Sequence, residues 1–155
     1  MMKPISIKPV QITGACPAGV TSDDLFRIDG MNLKNPKGNK VCFLAVSHFP
    51  IMIWQLQGEN RFFAHASCPG CIKAMEQENR VVFLLAHDDK WSLSQIISEY
   101  LRLSKEVEEP EFAKRLKIKA IEYQNRGEYT EAERKMEGAL AILKDAHTGT
   151  QAAAK

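Results

Sequence analysis

The sequence has no long uninterrupted apolar run. Its longest, Val41 to Leu56, is broken by Ser47, His48, Pro50 and Gln55. That run is too short and too polar to span a bilayer, so no membrane insertion is expected. Excess charge of one sign is also missing: 21 Lys and Arg stand against 19 Asp and Glu, a net of +2. Nucleic-acid binders usually carry a clear basic excess, so no nucleic-acid partner is expected. The start, Met1-Met2-Lys3-Pro4, lacks the apolar stretch of a secretory leader. No glycine-rich phosphate loop and no Gly-x-Ser-x-Gly nucleophile elbow is present. Together these absences point to a cytoplasmic chain and argue against an enzyme built on a familiar motif.

What is present is an ordinary soluble composition, 45% hydrophobic and 26% charged over 155 residues. Such a chain can bury a core without covalent staples. Its four cysteines, in a reducing compartment, read as ligands or catalytic groups rather than disulfides.

The chain has two dissimilar parts. Residues 1–90 hold all four cysteines and six of the seven prolines. Ile5, Ile7, Val10 and Ile12 predict a strand bent near Pro9. Asp24 to Ile28 predicts a short strand closed by Asp29-Gly30, and residues 35–39 a loop. Val41 to Phe49 suggests a short helix ended by Pro50, followed by strands over Ile51–Leu56 and Arg61–Ala64. Arg80–Ala86 is the clearest strand, a β-branched and aromatic run between polar residues. The fold class is therefore α+β, a small mixed domain with several short strands followed by a helical hairpin region.

Residues 91–147 are helix-forming throughout. Ser92 to Gln95 has capping-box spacing and opens an amphipathic helix. Glu109-Pro110 starts a second helix that Gly127 stops, and Thr130 caps a third ending near Lys144. Residues 148–155 are expected to form a flexible tail. Leu116, Ala120, Tyr123, Gly127, Tyr129, Ala132, Met136 and Ala139 stand at the spacing of a single tetratricopeptide repeat, which this hairpin resembles. Lys119 departs from that pattern, and no second copy is evident. The resemblance implies a hairpin that packs on another helix, on the first domain or on a partner protein.

The cysteines follow the spacing Cys16-x25-Cys42-x25-Cys68-x2-Cys71. Four thiolates are what a tetrahedral zinc or an iron–sulfur cluster needs. The Pro-Gly between Cys68 and Cys71 allows a tight turn whose amides can face sulfur. Cys16 sits in a similar turn with Pro17 and Gly19. Cys42 opens the helix suggested over Val41–Phe49, where the helix dipole favours a thiolate. His65, three residues before Cys68, and His48, six after Cys42, are substitute ligands. The competing readings are thiols serving as small buried hydrophobes beside an ordinary turn, or a redox pair at Cys68 and Cys71. A thioredoxin-like role fits poorly, because the surrounding order of elements does not match. His87-Asp88-Asp89 reads as a solvated turn before Trp91, with an acid/base or metal cluster as the alternative. Trp54 and Trp91 read as core or interface anchors.

The motifs "CPAG" at 16–19, "DLFRIDG" at 24–30, "VCFLAVSHFPIMIWQL" at 41–56, "SCPGC" at 67–71 and "RVVFLL" at 80–85 resemble a family of small cysteine-containing proteins of anaerobic bacteria and archaea. The resemblance covers about the first half of the chain. It implies no particular activity, and an anaerobic distribution fits an oxygen-sensitive cluster. Three functions follow from the residues. The first is a non-catalytic iron–sulfur or metal-binding accessory subunit, suited to electron transfer and docking on a larger enzyme complex. The second is a zinc-stabilised protein-interaction module. The third is a cysteine-dependent enzyme with Cys68 or Cys71 as nucleophile and His65 or His48 as base.

Overall fold

The structure, a computed structural model, describes residues 3–16, 18–30, 32–35, 38, 42–57, 61–68 and 80–153. It divides into two compact units, Met1–Trp91 and Ser92–Lys155. Together they make an α+β fold with a helical C-terminal region. Among the described residues no helix is long and apolar enough to cross a membrane.

The first unit is built on five antiparallel strands: β1 (Ile5–Thr13), β2 (Phe26–Asp29), β3 (Asn32–Lys34), β4 (Phe63–Ser67) and β5 (Arg80–His87), in the order β3-β2-β1-β5-β4. Side chains alternate across a strand, so register decides which residues share the core face. Ile7 pairs with Phe26 on one side and Leu85 on the other, and Leu85 pairs in turn with Ala64. The bend expected near Pro9 is a bulge: Pro9 pairs with Phe83, Gln11 with Val82, and Val10 is passed over. One extra residue moves the inward set of β1 from odd to even numbers, which brings Ile12 opposite Val81 and back onto the core. Proline has no N–H to give the ladder, so a bulge is where a central strand tolerates it.

Two helices complete this core, α1 (Phe43–Val46) and α2 (Phe49–Leu56). Here the sequence expectation is corrected. Pro50 does not end a helix but sits in the first turn of α2, where a missing N–H is harmless. Ile51–Leu56 is helix rather than strand. Ala45, Phe49 and Leu56 are buried, and the ring of Phe49 meets that of Phe83 edge-on at 5.2 Å. Strand β3 goes unforeseen in the sequence; its three residues are all exposed and carry no alternating pattern.

The second unit holds α3 (Trp91–Leu103, beginning one residue before the division), α4 (Glu111–Asn125) and α5 (Tyr129–Ala153). Ser92 does not cap α3: it lies within the helix, and its hydroxyl donates to Glu133 Oε1 at 2.6 Å. A 3-10 turn, Asp88–Lys90, leads into α3 instead. Helices α4 and α5 pair through small side chains, with Ala113, Ala120, Ala132 and Ala139 all buried. A Cβ added to Gly138 would stand 3.3 Å from Leu116 Cδ1, which shows how closely the helices cross. Helix α5 begins at Tyr129, one residue before Thr130, and runs past Lys144 through Ala153. Residues 148–153, assigned from sequence to the tail, are thus helical. Thr148 and Thr150 return their hydroxyls to the carbonyls of Lys144 and Ala146, and no proline intervenes.

Gly127 ends α4 as expected. At φ +77° its N–H donates to Gln124 O, and the Glu128 N–H donates to Tyr123 O. Space around it is open, so Gly127→Ala pays only for left-handed backbone. We expect a loss of about 1 kcal/mol in urea unfolding. An unchanged midpoint would show that the turn does not require this conformation.

Candidate functional site

Three of the four cysteines fall within the described residues, and all three are partly buried against the one core of the first unit. Cys71, with Pro69 and Gly70, lies outside them, as does Pro17. Cys16 follows β1 and opens the expected turn: its carbonyl accepts the Gly19 N–H at 2.9 Å, and Gly19 has φ +70°. The rest of that loop is tied by Asp24, a buried carboxylate that accepts the Thr21 N–H at 2.8 Å. Cys68 follows β4 and continues its pairing. Its N–H donates to Val81 O at 2.9 Å, and Val81 N–H donates to the sulfur at 3.1 Å.

Cys42 precedes α1, and its carbonyl accepts the Val46 N–H at 3.1 Å. Helix α1 has only four residues, so the dipole argument made from sequence has little to rest on: one turn sums few peptide dipoles.

The topology puts Cys16 and Cys68 toward one end of the sheet. Strands β1 and β4 finish where β5 begins, with Thr13 opposite Arg80 and Ser67 opposite Val82. Helix α2 runs along β5 from Phe83, which its Phe49 touches, to His87, which its Leu56 carbonyl meets at 2.9 Å. Cys16, Cys42 and Cys68 pack against one core. Among the described residues no three His, Cys, Asp or Glu side chains stand together as a metal-holding group.

The two histidines read as substitute ligands are placed differently. His65 pairs with Leu84 in β4 and points to the face opposite Ala64, Ala66 and Cys68. Three residues apart on a knuckle is usable ligand spacing; three apart on extended chain reverses the face. His65 instead has its ring edge-on to Phe63, with centroids 5.8 Å apart. His48 is exposed between α1 and α2 and makes no side-chain cap bond.

His87-Asp88-Asp89 is not a freely solvated turn. His87 is buried on the core face, with Nε2 at 2.9 Å from Leu56 O and Nδ1 buried without a partner among the described residues. Asp88 accepts the Ser6 hydroxyl at 2.7 Å and pairs with Arg27 at 2.7 Å, while its own N–H donates to Pro4 O. Asp89 sits between Lys3 and Lys90. These groups clasp the end of the sheet opposite Cys16 and Cys68.

The sequence reading missed an exposed apolar face. Trp54 is 84% exposed and Phe43 82%, with Ile51 at 62% and Leu44 at 40%. Trp54 is thus not a core residue. A signal was available: residues 42–57 contain no Asp, Glu, Lys or Arg, so α2 has no polar face to turn outward.

Compared with family models, curated proteins and solved structures, the chain matches none. Both family resemblances therefore rest on the sequence motifs that carry them.

Proposed function

We propose that the chain is a non-catalytic accessory protein whose Cys16, Cys42, Cys68 and Cys71 bind an iron–sulfur cluster at one end of the first unit, for electron transfer within a larger protein complex. The observation that carries this reading is that Cys16, Cys42 and Cys68, spread over 53 residues of sequence, each pack against the same core. The Val81 N–H directed at Cys68 sulfur is a backbone hydrogen bond of the kind that tunes cluster sulfurs. Thiolate ligation suits a reducing, cytoplasmic setting. Zinc is the alternative occupant; it would make the cysteines a brace and leave the work to protein-binding surfaces. The enzyme reading is weakened by the opposite facing of His65 and Cys68, which separates a nucleophile from its nearest base.

Protein purified without oxygen is expected to contain iron and acid-labile sulfide and to absorb visible light. Cys16→Ser and Cys68→Ser are each expected to remove the same species nearly completely. Stoichiometric zinc without sulfide would select the brace. Metal content left unchanged by both substitutions would overturn the shared site.

A further inference from the structure

We draw no further inference here: the strongest candidate, the exposed apolar face of α1 and α2 formed by Phe43, Leu44, Ile51 and Trp54, carries none, because nothing in the structure shows what covers it.

Discussion

Phe83→Ala is expected to destabilise the first unit by about 3–5 kcal/mol. Its ring is fully buried on β5, a strand with partners on both sides, between Pro9 of β1 and Ala66 of β4. It also supplies the surface on which Phe49, and with it α2, is seated. Truncation therefore removes an aromatic pair and leaves a hole under the helix. Neighbours stiffened by β1 and β4 can close that hole only in part. Phe83→Leu keeps most of the volume and is expected to recover most of the loss. Urea unfolding followed by circular dichroism measures both. A loss below about 1 kcal/mol for Phe83→Ala would mean that α2 is not held by this contact.

The parts of the fold that were legible in the sequence are those with a period or a punctuating residue. Strand β1 shows its alternation and its proline, and the structure turns that combination into a bulge. Strand β5 is short, β-branched and bounded by polar residues, and it is where expected to within one residue. Pro110 and Gly127 mark the two ends of α4 through backbone geometry that few other residues supply. What was illegible lacked such marks. Residues 49–56 have no charged residue and one polar one, Gln55, so they show neither the helical nor the strand period. Their helix is decided by packing on β4 and β5, a contact made with residues later in the chain. The candidate site divides the same way. Four cysteines at suggestive spacing are visible in sequence, and three of them do meet one core. Whether they close on a common centre depends on loop paths across three segments, which spacing does not encode. His65 illustrates the hazard: its interval to Cys68 suits a turn, but the residues lie on extended chain and face apart. Trp54, read from sequence as a core or interface anchor, is exposed, which removes the core half of that reading.

Glu109→Ala is expected to cost the second unit about 2–3 kcal/mol. Glu109 lies just before α4, and one of its carboxylate oxygens accepts two bonds, from the Tyr100 hydroxyl of α3 at 2.9 Å and from Lys117 Nζ of α4 at 2.6 Å. Lys117 also stands 5.3 Å from the centre of the Tyr100 ring. Removing the carboxylate strands a hydroxyl on a buried tyrosine and an ammonium that is only 30% exposed. Tyr100→Phe takes away the stranded group itself and is expected to cost about 1 kcal/mol. The two substitutions together should cost less than their sum, because the second removes what the first leaves unpaired. The same network sets an acid limit. Burial pushes the Glu109 carboxyl up, but the bonds from Lys117 and Tyr100 outweigh it and hold the group below its ordinary value of 4.5. A carboxylate depressed in the folded state stabilises fully above its unfolded value, and that contribution drains away as pH falls through the folded one. The second unit should therefore weaken on acidification below about pH 4.5, and Glu109→Gln should flatten that limb. Tyr100 adds an alkaline limit of the opposite kind. Burial first, and then its bond to Glu109, push its hydroxyl above the ordinary value of 10.0. Its contribution is complete below that value and declines as pH rises beyond it. Stability curves from pH 3 to 7 for the native chain and Glu109→Gln decide the matter. Parallel acid limbs would show that Glu109 is not the group that titrates, and the loss in Glu109→Ala would then be one of packing alone.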